Sequence, residues 1–324
     1  MTEVRIVHAT TYRYVRPVRF TTHRVMLRPR DSHDLRLLGT KWSIVPAATS
    51  TRWAHDVFSN SVCYLDWDGA ESDTLEIVST LALDHFPSGV DTPRETLDPG
   101  AETYPFGYPP EEFPDLTRLM ERQHPDPNRM VDAWARRFLP KTGPARTMDL
   151  LAAMTQAIKS DFIYEAREQE GTHPPDVTLA RKRGACRDFA LLMMEAVRAL
   201  GLAARFVSGY VYDDRGGAAP VGGGATHAWC AVYLPGAGWV EFDPTNGLMA
   251  GRNLIRVGSA RTPEQAVPIA GGFIGGENDF ISMTVDVAVT VGRLPAALGA
   301  AAQAGSSSSA SPTAISPPST TSDS

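Results

Sequence analysis

The hydrophobic period of this chain changes once between residues 186 and 243, and that change constrains what the segment can become. In CRDFALLMMEAVRALG the apolar residues Phe189, Leu192, Met193, Ala196, Val197 and Leu200 recur at i, i+3, i+4, i+7, i+8 and i+11. That is the stripe of a helix with one core face, and Gly201 follows as a C-terminal stop. After Gly201 the segments ARFVSGYVY, HAWCAVYL and GWVEFDPT are short and rich in β-branched and aromatic residues, which reads as strands. PGAG at 235–238 reads as the hairpin loop between the last two.

Strands also dominate the beginning of the chain. VRIVHATTYRYV alternates, so Val4, Ile6, His8, Thr10, Tyr12 and Tyr14 share one face. TKWSIVP, NSVCYLDW and DTLEIVSTLAL follow, separated by turn residues. Residues 1–90 therefore read as an antiparallel β-domain of sandwich type. His8, His23, His55 and His85 are expected to be hydrogen-bonded or surface histidines of that domain, not ligands. A Pro-rich connection covers 91–114, where the proline density opposes both helix and central strand. The core spans 115–250 and opens with helices. PDPNRMVDAWARRFLP has an Asp or Asn cap candidate, and RTMDLLAAMTQAIKSDFIY carries Leu150, Met154, Ile158 and Phe162 four apart. Residues 251–295 form an extension in which NDFISMTVDVAVTVGR alternates as a strand returning to the β-domain. The Ser/Ala/Thr/Pro-rich tail, 296–324, lacks the apolar surface to offset its ordering entropy and is expected to be disordered.

Composition narrows the function. With 43% hydrophobic and 21% charged residues the chain is ordinary globular protein, and a net charge of −6 without a basic stripe argues against nucleic acid. No apolar run reaches the ~18 residues of a membrane span, and MTEVRIVHATTYRYV has no signal-peptide pattern. Only three cysteines occur, Cys63, Cys186 and Cys230. That count builds no disulfide framework, so free thiols in the cytoplasm are expected. The glycine-rich stretch 216–225 has neither the strand–turn–helix context nor the lysine of a phosphate loop; it reads as a flap or irregular connector.

Cys186 opens the helix. A helix N-terminus carries about half a positive charge and unpaired N–H groups, an environment that favours a thiolate nucleophile. An imidazole can exchange a proton with that sulfur, and a third polar group can orient the ring. His227 opens a strand in ATHAWCAVYL and Asp243 closes the next in WVEFDPTNG. If 235–238 is the turn, the two lie on neighbouring antiparallel strands near one end of the sheet.

The segments GACRDFALLMMEAVRALGLAARFVSGY and THAWCAVYLPGAGWVEFDPTNG, in that order, resemble the transglutaminase-like superfamily. More narrowly, they resemble the bacterial transglutaminase-like proteins, many described as candidate cysteine proteases. HATTYRYVRPVR, MLRPR and HDVFSNSV resemble that family's N-terminal β-domain, and VPIAGGFIGG the segment after its core, so the likeness covers about residues 1–292. It implies an α+β fold, a papain-like transglutaminase core of helices on an antiparallel sheet, joined to the β-domain. It also implies a triad: Cys186 as nucleophile, His227 as general base and acid, and Asp243 to orient the imidazolium. No cofactor or metal is implied. The substrate is expected to be a peptide or protein amide, with neither nucleic acid nor membrane as partner and the oligomeric state left open. Arg187 departs from the glutamine more usual after the nucleophile, and Thr226 from the serine more usual before the histidine.

Competing readings remain beside this one. Arg187 is either a solvated helix-start arginine or a carboxylate anchor. Asp188 either caps the helix or ties down a loop. Trp229 and Trp239 are core residues or substrate platforms. Cys63 reads as inert filling. Cys230 sits three residues after His227, so strand alternation sends the two to opposite faces and argues against a metal pair. A zinc site from Cys186, His227 and Asp243 uses the right ligand types but has no CxxC pair behind it. The activity is either amide-directed thiol chemistry, as peptidase, amidase or transglutaminase, or none, in a scaffold that binds a peptide partner.

Overall fold

Six strands come first: β1 (Thr2–Phe20), β2 (His23–Arg28), β3 (Leu35–Val45), β4 (Ser50–His55), β5 (Ser61–Asp66) and β6 (Glu71–His85). The computed structural model describes residues 2–292 apart from 88, 90, 168–169, 214–220, 222–223, 252 and 277. Most of the glycine-rich stretch 216–225 and the whole segment 296–324 lie outside the described residues. β1 alternates as its sequence demands, with Val4, Ile6, His8, Thr10 and Tyr14 buried. It pairs antiparallel with β6 on one side and with Phe280–Val291 on the other, and β3 pairs with β6. A second sheet runs Ile269–Ala270, β2, β5, β4. The two sheets enclose Tyr14, Val25, Leu27, Leu65, Leu75 and Ile77, with Cys63 fully buried among them. Burial pushes the Cys63 thiol up to about 11.

Among the described residues six helices follow: α1 (Thr92–Thr96), α2 (Phe113–Met120), α3 (Met130–Arg136), α4 (Thr147–Asp161), α5 (Pro175–Arg181) and α6 (Cys186–Ala199). The Pro-rich connection is less irregular than its composition suggests. It holds α1, a 3₁₀ turn at Pro99–Ala101 and the start of α2, each with proline in its first turn. Proline is tolerated there because the missing N–H would have had no intrahelical acceptor. Before α3, the Asp126 carboxylate accepts the N–H groups of Met130, Val131 and Asp132 at 2.8, 3.1 and 3.1 Å, the capping role its sequence position suggests.

The core sheet is antiparallel throughout, in the order Leu248–Met249, Gly238–Asp243, His227–Leu234, Ala204–Val211, Leu254–Ala260. It draws its last strand from beyond residue 250. α6 packs on one face, where Phe189, Leu192, Met193 and Val197 meet Phe206, Cys230, Val232 and Phe242. Each such buried side chain contributes about 1.5–3 kcal/mol. α6 is buried around most of its circumference: Ala190, Leu191 and Met194 are also inaccessible, and so are Glu195 and Arg198, which pair at 2.9 Å. The helix ends at Gly201 (φ +79°), where Leu202 N–H reaches the Val197 carbonyl at 3.1 Å.

The sandwich and the core share a seam. Val4, Ile6, Leu81 and Leu83 pack against Tyr210, Tyr212, Ile255 and Val257. Two buried histidines cross it. His8 Nδ1 meets the Tyr210 hydroxyl at 2.9 Å while its Nε2 meets Thr10, and His85 Nδ1 meets the Tyr212 hydroxyl at 2.9 Å. Burial lowers both rings to about 4; around His85 the Asp34 charge opposes this and Arg256 reinforces it. In the unfolded chain these rings titrate near 6.5. The unfolded state therefore binds more protons between about 6.5 and 4, and stability present above that window is lost as pH falls through it, by up to ~3 kcal/mol per ring. Urea midpoints across this window are expected to fall steeply for the wild type and less steeply for a His8→Gln/His85→Gln variant. Equal slopes would show that the seam histidines do not carry the effect.

Candidate active site

The hairpin decides how His227 meets Asp243. Its strands pair Cys230 with Phe242 and Leu234 with Gly238. Continuing that register sets Asp243 opposite Trp229, so Asp243 and His227 lie on the same face, one step apart along the diagonal. His227 Nε2 and Asp243 Oδ2 are 2.8 Å apart, and both side chains are inaccessible to solvent. Opposite His227 on the other neighbouring strand is Gly209. A Cβ there would lie 2.0 Å from the Ile255 carbonyl oxygen and 2.8 Å from Trp229 Cη2. Glycine thus lets the strands close up and lets Trp229 lie beside His227, ring centroids 5.9 Å apart.

The Asp243 carboxylate is fully engaged. Oδ1 accepts Thr245 N–H at 2.9 Å, and Oδ2 accepts Asn246 Nδ2 at 2.8 Å. Burial alone would raise its pKa, but the His227 charge and these hydrogen bonds override it and lower the group. The imidazole shows the converse. Burial would lower it, yet Asp243 and then the Cys186 side chain raise it to about 10. The imidazole is therefore fixed through Nε2, and its Nδ1 is left without a hydrogen-bond partner among the described residues.

α6 places that thiol. Cys186 is its first residue and is 7% exposed. Asp188 secures the turn before it, its Oδ2 accepting Ala185 N–H at 2.9 Å. Its Oδ1 accepts His173 N–H at 2.7 Å and Arg167 Nη2 at 2.9 Å, so it both caps the helix and ties down the preceding loop. Arg187 is not a solvated helix-start residue: its Nε donates to the Gly171 carbonyl at 2.7 Å and Nη2 to that of Arg167 at 3.0 Å. Trp229 is fully buried, Trp239 packs at the edge of the same cluster, and Cys230 points into the α6 core, where burial pushes its thiol to about 12. No group of three or more His, Cys, Asp or Glu side chains is placed to hold a metal among the described residues.

Family models match the chain twice. The bacterial transglutaminase-like N-terminal region covers residues 4–84, and the transglutaminase-like superfamily covers 132–244. An uncharacterized protein of Mycobacterium tuberculosis is 31% identical over 294 residues, which is 87% of this chain and 91% of that protein. The chain belongs to the bacterial transglutaminase-like family. A second relative within these similarities, an uncharacterized protein of Mycobacterium leprae, is 28% identical over 303 residues, covering 91% of this chain and all of its own. The crystal structure of a "Putative Cysteine Protease" from Cytophaga hutchinsonii shares the transglutaminase-like fold, with a TM-score of 0.66 at 18% identity over 91% of this chain and 92% of that one. Cys186, His227 and Asp243 all lie within the matched transglutaminase-like core.

Two residues of this transglutaminase-like site escape sequence reasoning. The strand Ile163–Tyr164 runs parallel to Arg183–Gly184, pairing Tyr164 with Gly184 two residues before the cysteine. Tyr164 packs on the core that includes Cys186, and its hydroxyl has no hydrogen bond among the described residues. Burial and then the Cys186 charge raise its pKa, so it remains a protonated donor. Asn246 holds Asp243 while clamping Val221 by both backbone groups, at 2.9 and 3.1 Å. DFIY and DPTNG carry these residues, but only the strand pairing and the turn after Asp243 reveal their neighbours.

Proposed function

We propose that this chain is a thiol enzyme acting on amides of peptides or proteins through an acyl-enzyme thioester. Cys186 is the nucleophile, His227 the base and acid, and Asp243 the orienting carboxylate. The observation that carries the reading is the single buried imidazole acted on by both the Asp243 carboxylate and the Cys186 side chain. With the thiol proton held on Nδ1, the sulfur adds to the amide carbonyl. The Cys186 N–H, first in its helix, and the Tyr164 hydroxyl donate to the developing oxyanion. Nδ1 then protonates the departing amine, leaving a thioester. Water as acceptor completes hydrolysis; a second amine completes transamidation. Peptidase or amidase action is the favoured outcome, and a cytoplasmic setting fits three unpaired, buried cysteines. Mass spectrometry of the purified protein with a peptide library containing glutamine and lysine tests this. Cleaved, deamidated or crosslinked peptides are expected from wild type and not from Cys186→Ala. A library left unchanged by the wild type, with three equally reactive cysteines, would favour the inactive scaffold.

A further inference from the structure

A cavity of about 410 Å³ opens immediately upstream of Cys186. Its described lining is Glu165, Ala166, Arg167, His173, Arg181, Gly184 and Ala185, so its wall ends at the residue before the nucleophile. The charges there are unevenly satisfied. The buried Asp188 carboxylate behind the wall is fully used by Ala185 N–H, His173 N–H and Arg167 Nη2. Arg167 still keeps its Nε, a buried donor with no partner among the described residues. Arg181, exposed at the end of α5, has no carboxylate within ion-pair distance among the described residues. Its contact is with the ring of His173, Nη1 to Nε2 at 3.2 Å. An arginine facing an imidazole with no acid to balance it, beside an orphaned guanidinium donor, is the chemistry of a site that receives an anion. Glu165 is the only acid in the described lining, and it stands exposed.

We infer that this cavity binds a carboxylate of the acyl substrate, an acidic side chain or a free C-terminus next to the amide that Cys186 attacks. The inference rests on the proposed role of Cys186 and names the substrate class of that site. Arg181, held against the His173 ring, supplies the charge, Arg167 Nε supplies a directional donor, and Glu165 weakens the field at the rim.

Two measurements on the intact chain test it. The first is the ratio of alkylation rates of Cys186 by iodoacetate and by iodoacetamide, which differ in the charge carried to the sulfur. The ratio is expected to fall about fivefold in Arg181→Gln, the scale of losing one exposed unit charge whose field solvent and salt screen. It is expected to be largely kept in Arg181→Lys and to rise in Glu165→Gln. The second is calorimetric binding of N-acetylglutamate, which does not depend on the thiol; wild type is expected to bind it at least about fivefold more tightly than Arg181→Gln. An unchanged ratio in Arg181→Gln, or N-acetylglutamate binding that is absent or insensitive to that substitution, overturns the carboxylate site. Failure of the parent reading looks different: Cys186 would then alkylate no faster than Cys63 and Cys230 with either reagent.

Discussion

Replacing His227 by alanine is expected to slow turnover at Cys186 by ~10³-fold or more, as removal of one member of a nucleophile–base unit does. In the proposed mechanism the ring exchanges a proton with Cys186 while Asp243 holds it. Nε2 is committed to Asp243 at 2.8 Å, and the charge and hydrogen bonding around it raise the imidazole to about 10. The same variant is expected to erase the labelling advantage of Cys186. With iodoacetamide near pH 6.5, wild type should be modified at Cys186 ahead of Cys63 and Cys230, whose thiols burial pushes up to about 11 and about 12. In the variant the three rates should converge. Stability supplies an independent check on the ion pair. A ring raised from 6.5 to about 10 stabilises the fold fully below 6.5, and that contribution is lost as pH rises through about 10. Wild type should show this alkaline loss in urea unfolding, and His227→Ala should not. Full activity in the variant, on a peptide the wild type processes, would remove His227 from the mechanism.

Arg198→Met is expected to destabilise the protein by about 3–5 kcal/mol, the cost of stranding a buried charge. Arg198 and Glu195 pair at 2.9 Å with both side chains at 0% exposure. The guanidinium also donates to the carbonyls of Leu119, Ala204 and Arg261, joining α6 to the end of α2, to the core sheet and to the segment after its last strand. Glu195 in turn accepts the N–H groups of Gln123 and His124. Removing the arginine leaves that carboxylate buried with Arg122 at 3.6 Å as its remaining cation. Urea denaturation followed by circular dichroism measures the loss. The double variant Glu195→Met/Arg198→Met should recover a large part of it, because no unpaired charge then remains. A single variant within ~1 kcal/mol of wild type would show that the pair is solvated in solution.

Local pattern reaches only part of this molecule. The stripe of α6, the alternation of β1 and the order cysteine, histidine, aspartate are all visible in the chain, because a side chain's place on a helix or strand repeats with a fixed period. The polar side of α6 is not. Glu195 and Arg198 stand where a solvent face is expected, and only the packing of α2, the 121–124 segment and the core sheet around the helix shows that they are buried. Arg187 has the same history: a helix-start arginine becomes a strut because the carbonyls of Arg167 and Gly171 come back to meet it. Tyr164 and Asn246 carry no mark of their neighbours either.

By itself, the sequence determined which residues form the helix that begins with Cys186, which faces of the strands are apolar, and which three side chains have the chemistry of a thiol site. The tertiary structure alone decided that His227 meets Asp243 across the hairpin, that Asp188 serves helix and loop together, and that Arg167, His173 and Arg181 line one cavity. Periodicity is a property of consecutive residues, whereas strand register and loop return join residues far apart in the chain, and nothing in the local pattern encodes those distances.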